Sequence, residues 1–600
     1  MRRRSPNRAS VRGVAVAFAA MALMTGAGGP KKKAEIPPKV DETISDVATI
    51  FGTDIKVEGV GLVIGLDGTG SEPAPSWQQK KLVDEMQKSG VEHPERRLRS
   101  ANISLVTVRA MIPAGISTKD KFDIEIELPQ ASATSSLANG FLMETRLAER
   151  AMTKEGEKDD KVISIGGGPV MIGSTANTRD PKVGRALGGG RALAEAPYII
   201  QIKESRRSGK TSQLIENVIK QRFHQTEGGY NKGMAVAKTD SALELKVPKI
   251  YHHNQDRYHL IINYLHLVDN PSLREQRLQQ WGQDLLDPRK AGVAALRLEG
   301  LGPVAIPTLK QALGSPDETV KFFAAESLAY LNDGDSAATL AEMARKRPEF
   351  RSFALKAMAS MDQSASLLKL RTLMSEPEVE LRYGAFDALR TLDPYDPFLG
   401  KVAVLDFNPE PEKDDAMAFP IVGVARKKPQ ARPDDPFHLY VVDCEGPPMV
   451  HVTRNQRAEI VIFGKGQKLL TPVVLGAGGP LLLNASDGDS KIQISKITTK
   501  TLDAPEIRVT CGLELVDVIR EMANLGSSYP EVATVLGSAS TQKNLPGPFT
   551  VDSLPVASPL YDQAQLAGAA PRKDDALKKS SFDASGKPSI RDRLRNVIRR

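Results

Sequence analysis

Gly59-Val60-Gly61-Leu62-Val63-Ile64-Gly65-Leu66-Asp67-Gly68-Thr69-Gly70 is the stretch on which the reading of this chain turns. Two chemistries compete for it. A phosphate-binding loop needs a strand, a tight turn, and then a helix whose N-terminus faces the anion. Here Gly59, Gly61 and Gly65 flank a strand rather than a turn, and Pro73 and Pro75 delay any helix. The spacing also misses the dinucleotide fingerprint. Glycines on a strand permit close backbone approach or a bulge instead. Gly59, Gly61, Gly65, Gly68 and Gly70 are therefore assigned structural roles, and no cofactor is expected.

Outward from this stretch, period-two alternation and β-rich runs recur. Ile103 to Ile112, Phe122 to Leu128, Tyr198 to Ile202 and Ala242 to Val247 read as strands, and Val162 to Ile172 as two short strands around Gly166, Gly167 and Gly168. Ser76 to Ser89 and Thr211 to Phe223 read as amphipathic helices. A strand-rich α+β first block is expected over 35–275. From Asp287 the chain turns alanine- and leucine-rich. Segments beginning at Asp287, Ser315, Arg347 and Glu376 each carry proline in second place, and in the last three an acid follows. Proline suits a helix start because its missing N–H is not needed there, and the acid faces the positive end of the helix dipole. The period of about thirty residues is that of a helical solenoid. An all-α, HEAT-like array is expected over 287–397. A Pro-rich charged linker follows at 398–437. A second strand-rich block covers 438–557, with helices at Leu513 to Leu525 and Tyr529 to Leu536. A basic, mostly disordered tail covers 558–600. In that tail Ile590, Leu594, Val597 and Ile598 share one helical face, the pattern of a small basic docking helix or of a frayed end.

The N-terminus has the pattern of an export signal. Arg2, Arg3, Arg4, Arg8 and Arg12 precede Val14 to Met24, an apolar run too short to span a bilayer, so 1–34 is read as a signal peptide and basic lead. Of the net charge of +8, residues 1–33 contribute eight positive charges and residues 571–600 a net six, so the body between them nets −6. It lacks the bias of a nucleic-acid binder, and no nucleic acid is expected as a partner. Only Cys444 and Cys511 occur. In an oxidising compartment they form one disulfide or remain two buried thiols, and sequence leaves both open.

No other motif carries chemistry. Gly209-Lys210-Thr211 lacks the earlier glycine of a P-loop, since Glu204 stands there. His252, His253, His259 and His266 miss the spacing that places two ligands on one helix face. Asp487 and Asp489 around Gly488 make a plain turn. No metal site and no catalytic residue is expected, and the chain is not read as an enzyme.

The order of segments resembles the bacterial flagellar P-ring protein family. Ile44-Ser45-Asp46-Val47-Ala48, then Val60 to Gly70, is similar to the family's opening, with Asp67 and Ser71 where it has Asn and Asp. Ile103 to Pro113, Ser135 to Thr145, Gly166 to Gly173, Val452 to Gly464 and Leu515 to Gly526 resemble later family segments in family order. The resemblance covers roughly 40–270 and 438–540. It implies a structural subunit in the periplasm, part of the flagellum basal body. Such a subunit closes with copies of itself into a ring around the rod, near peptidoglycan and beneath the outer-membrane L-ring proteins. The helical array and basic tail depart from the family and imply an added binding surface whose partner is unknown. Two other readings stand beside this one. One is an exported HEAT-repeat binding adaptor at the cell wall with no flagellar role. The other is a wall-acting enzyme.

Overall fold

The computed structural model describes residues 37–88, 90–118, 120–153, 156–173, 180–227, 230–405, 436–476, 481–496 and 507–566. The expected export signal, the linker residues 406–435 and the shared face of Ile590, Leu594, Val597 and Ile598 lie outside them. The protein is α+β: strand-rich parts precede and follow a helical repeat in the chain. Among the described residues no helix is long and apolar enough to cross a membrane.

The glycine-bounded stretch is the strand Ile55–Ile64, and it lies inside a sheet. Ile103–Ile112 pairs with it on one side and Phe141–Thr153 on the other. The sheet continues through Gly156–Pro169 to Val183–Ala192, which pairs back onto Lys121–Glu127, so the sheet closes on itself. Alternation puts Val57, Val63, Val106, Val108, Ile124, Ile126 and Leu147 into its core. The helix Trp77–Lys88 places Leu82 over Val60 and Leu105 outside it.

One reading is corrected here. Gly166, Gly167 and Gly168 do not separate two short strands; they continue Gly156–Pro169, and the break follows them, before Met171–Ile172. Glycine lacks a β-propensity signal, so the run was invisible to alternation. The same blindness hid Val183–Ala192, which contains three consecutive glycines.

A second, antiparallel sheet orders Ala48–Phe51, Tyr198–Ile202, Ala242–Leu245 and Ala235–Ala237. The helix Gly209–Arg222 packs Ile215 and Ile219 into its core, and Ser208 caps it by accepting the Thr211 N–H at 3.1 Å. Helices then follow without a gap in packing. Gln255–Tyr264 and Pro271–Leu285 already belong to the helical layer, ahead of the Asp287 boundary. One layer contains Ala291–Leu301, Glu318–Tyr330, Pro348–Ser360 and Val379–Leu392; the other contains Ile306–Ala312, Ser336–Lys346 and Ser364–Leu373. Buried Ala324, Ala325, Ala354, Ala357, Ala385 and Ala388 let the first layer pack closely.

The repeat signature works as capping, with a shift in register. Asp317 is the N-cap of its helix, accepting the Thr319 N–H at 2.8 Å and the Val320 N–H at 3.1 Å, so Pro316 stands one residue outside. Pro348 alone of the four prolines is the first helical residue. Arg347 pairs with both Glu318 and Glu349 at 2.6 Å, which ties neighbouring repeats together at their starts.

The second block holds a mixed five-stranded sheet, ordered Lys401–Val402, His438–Val442, Glu459–Phe463, Met449–Val452 and Phe549–Val551. A four-stranded antiparallel sheet, Val473–Gly476 to Ile507–Gly512, packs with helices Leu515–Asn524 and Tyr529–Thr541 in a core of its own. Gly526, at φ +78°, ends the first of these helices. The second runs on past Leu536 to Thr541, because the small residues of its last turns pack rather than break it. The ends of the expected linker are not linker: Val404 and Phe437 are buried in this core.

The first residues of the expected tail are ordered. Pro559–Leu566 is a helix, and its Tyr561 is only 2% exposed. A single aromatic residue is too sparse for a periodicity test, but here it enters a pocket prepared elsewhere in the chain.

Candidate functional site

The candidate glycines are placed by contact. A Cβ on Gly59 would collide with the Arg146 carbonyl oxygen, and one on Gly61 would come within 2.6 Å of Thr145 Oγ1. Both face Phe141–Thr153, where the pairing register shifts between Glu58 and Val63. The strand is paired on both sides and has no free edge. Gly65 and Gly68 adopt φ of +79° and +86° in the turn, the left-handed region that favours glycine. At Gly70 a Cβ would meet the Ile103 carbonyl. The Gly70 N–H donates to the Ala101 carbonyl at 2.7 Å, and the Ser71 hydroxyl meets Thr134 Oγ1 at 2.9 Å. The loop is thus stitched to its own sheet, and its amides are not presented to a ligand.

Three junctions, two of them buried and one at the surface, hold the parts of the chain together. At the first, Arg257 lies between two carboxylates, Glu299 Oε2 at 2.5 Å and Glu326 Oε2 at 2.7 Å, with all three side chains at most 1% exposed. Tyr251 donates to Glu299 at 2.7 Å. Tyr561, from the terminal helix, donates to Glu326 at 2.9 Å and accepts from Gln565 at 2.8 Å. Its ring stacks on Phe353 at 3.4 Å. One guanidinium cannot neutralise two carboxylates in a dry place. Burial accordingly pushes the Glu326 carboxyl up to about 7, against the opposing pull of Arg257 and the Tyr561 hydrogen bond. Gly292 makes room for this helix: a Cβ there would strike Gln565 Cα.

At the second junction Arg390 of the repeat pairs with Asp387 and with Glu459 of the second block, which is fully buried. Tyr383 donates to Glu459 at 3.1 Å and stacks on His451 at 3.4 Å. Arg382 donates to the carbonyls of Met374 at 2.9 Å and Pro447 at 2.5 Å. At the third, the two blocks touch directly. Asp123 accepts the backbone N–H of Gly188 at 2.8 Å and of Gln456 at 2.9 Å, and Arg185 donates to Asn455 at 2.9 Å.

These charges are held by one another rather than by a substrate, and they fix which segments meet. They also change the reading of the helical array as a freely exposed binding surface. Its layer containing Ala291–Leu301 and Val379–Leu392 is covered by the first block, the terminal helix and the second block, in one continuous core. Sequence reasoning missed Arg257, Glu299, Glu326, Arg390, Glu459 and Tyr561. The available signal was a lone charge inside an apolar helical run, as in Phe322-Phe323-Ala324-Ala325-Glu326.

Among the described residues no group of three or more His, Cys, Asp or Glu side chains could hold a metal ion. His252 meets Asp120 at 3.3 Å. His259 packs edge-on against Tyr198, and burial pushes its imidazole down to about 4. Burial, then Arg277 and Arg297, push His266 down to about 4 as well. Cys444 and Cys511 are free thiols. They pack against different cores, and Cys444 Sγ accepts from Arg382 at 3.3 Å.

Residues 43–271 match the flagellar P-ring protein family, and residues 306–390 match HEAT repeats. A flagellar P-ring protein of Aquifex aeolicus is 27% identical over 222 residues, covering 35% of this chain and 57% of the relative. One from Thermotoga maritima is 29% identical over 237 residues, covering 38% of this chain and 66% of the relative. One from Syntrophotalea carbinolica is 27% identical over 164 residues, or 26% and 42%. The chain thus spans between about two fifths and two thirds of the length of these relatives. Its first block is similar to flagellar P-ring proteins, and its helical layer to HEAT repeats.

Proposed function

We propose that this protein is a structural subunit of the flagellar basal-body P ring. It is exported by residues 1–34 and assembles with copies of itself around the rod in the periplasm, beneath the outer-membrane L ring and close to peptidoglycan. It is not an enzyme, and it uses no cofactor. The observation that carries this reading is the build of the body. The matched first block is joined to the second through Asp123 and Gln456 and to the start of the helical repeat through Arg257, while the end of the repeat is joined to the second block through Arg390 and Glu459. Such a body suits a subunit that bears load in a closed ring, where head-to-tail contacts must repeat without slack.

The HEAT layer on this reading is an internal brace first. Its outer helices Ile306–Ala312, Ser336–Lys346 and Ser364–Leu373 are what remains to meet another component. The test is electron microscopy of the purified mature chain, together with imaging of basal bodies from cells carrying a tagged copy. Rings and a basal-body signal are expected. A chain that stays monomeric and is absent from basal bodies overturns the reading and leaves the exported adaptor.

A further inference from the structure

A cavity of about 150 Å³ opens where all parts of the body converge. Its floor is the inner repeat layer, from Pro348–Ser360 and Val379–Leu392, with Leu355, Ala359 and Ala388 forming an apolar base. His253, from the turn before Gln255–Tyr264, forms one wall. Leu554 and Pro555 roof it, in the segment joining the second block to the terminal helix. The roof is seated closely: a Cβ on Gly384 would come within 2.9 Å of Pro555 Cδ.

Two opposite charges face this space. Lys356 runs past the Phe353 ring, its ammonium 5.5 Å from the ring centre. Among the described residues its Nζ makes no hydrogen bond or ion pair, although Asp256, Glu326 and Asp387 all act on it through space. Burial lowers its pKa, the mark of an ammonium short of water and of a partner. Asp387 is held by Arg390 through Oδ1, which leaves its other oxygen unengaged among the described groups. Ser352 and Thr391 line the cavity with hydroxyls. His253 is kept neutral by burial and by His252, so it adds a hydrogen-bonding edge without charge.

A simple anion on Lys356 would feel the Asp256, Glu326 and Asp387 carboxylates. A simple cation on Asp387 would feel Lys356 and Arg390. A ligand carrying both charges meets neither objection, and the apolar floor accepts a small side chain. We propose that this cavity binds a small zwitterion of the amino-acid type, with its carboxylate on Lys356, its ammonium on Asp387 and its side chain over Leu355 and Ala388. This inference does not depend on ring assembly, and ligand binding can be read on the isolated chain.

The test is isothermal titration calorimetry and thermal unfolding of the full chain with glycine, L-alanine, acetate and methylamine. Glycine and L-alanine are expected to bind. Acetate and methylamine are each expected to bind at least about tenfold more weakly, since each forgoes one charge-assisted hydrogen bond. Lys356→Met keeps the side-chain stem and is expected to weaken L-alanine by about tenfold or more. Should that variant fail to fold, Leu554→Trp, at a half-exposed roof position, fills the mouth and is expected to abolish binding. Acetate binding as tightly as L-alanine overturns the proposal, as does L-alanine affinity unchanged in the folded variant. The absence of heat and of any unfolding shift at millimolar L-alanine overturns it too.

Discussion

Removing Tyr561 tests whether the terminal helix is part of the body or an appendage. Its hydroxyl donates to Glu326 at 2.9 Å, while Gln565 donates to it at 2.8 Å, all in a site closed to water. Tyr561→Phe removes one hydrogen bond to a charged acceptor and leaves the Gln565 amide without its partner, a cost of about 2–3 kcal/mol. Tyr561→Ala also empties the space stacked on Phe353, for about 3–5 kcal/mol in all. The Glu326 carboxyl adds a signature in pH. Its folded value of about 7 lies above the ordinary carboxylate value of 4.5, so the folded state holds a proton that the unfolded state releases. Stability from this group is fully present at low pH and falls as pH rises through the folded value. The hydroxyl favours the ionised carboxylate, so Tyr561→Phe should cost more at about pH 8 than at about pH 5.5. Urea unfolding followed by far-UV circular dichroism, with limited proteolysis of the terminal segment, reads both effects. A Tyr561→Ala change below about 0.5 kcal/mol, the range of an ordinary surface substitution, refutes the reasoning. So does a Tyr561→Phe cost that is the same at both pH values.

Three further outcomes are expected. Glu459→Gln breaks a fully buried pair with Arg390 and should lower the stability of the junction between repeat and second block by about 3–5 kcal/mol, read as lost hydrogen-exchange protection in Glu459–Phe463 and Val379–Leu392. Gly59→Ala and Gly68→Ala should differ in kind. The first forces Ile55–Ile64 away from the Arg146 carbonyl and costs about 1–3 kcal/mol, whereas the second meets open space and costs about 1 kcal/mol from its positive φ, both read from unfolding midpoints. Thiol titration of the unfolded, unreduced chain should report both Cys444 and Cys511 as reactive, and a Cys444→Ser, Cys511→Ser pair should leave the midpoint of the unreduced protein nearly unchanged.

Much of the fold was legible because it rests on local patterns. A β-rich run marked Ile103–Ile112, alternation over Phe122 to Leu128 marked the strand Lys121–Glu127, and amphipathic spacing over Ser76 to Ser89, Thr211 to Phe223 and Leu513 to Leu525 marked the helices Trp77–Lys88, Gly209–Arg222 and Leu515–Asn524. Proline followed by an acid marked the helix starts of the repeat, although it was Asp317 rather than Pro316 that capped. Local patterns failed where the side chains carry no hydrophobic signal. Gly156–Pro169 and Val183–Ala192 are strands because neighbouring strands pair with them, not because their glycines prefer to be extended.

The sequence by itself determined that this chain has a strand-rich body interrupted by helical repeats, and that Gly59 to Gly70 is backbone architecture rather than a phosphate cradle. Those properties follow from residue spacing, which acts over one turn or one strand pair. Only the tertiary structure decided that the glycine-bounded strand lies inside a closed sheet, that the repeat is covered on one layer by its own chain, and that Tyr561 seals its inner face. Arg257, Glu326 and Tyr561 are separated by up to 304 residues of chain, yet within hydrogen-bonding reach in space. No local pattern pairs them. A buried charge must find its partner wherever the fold brings one, because leaving it alone in a dry core costs more than any local preference can offset.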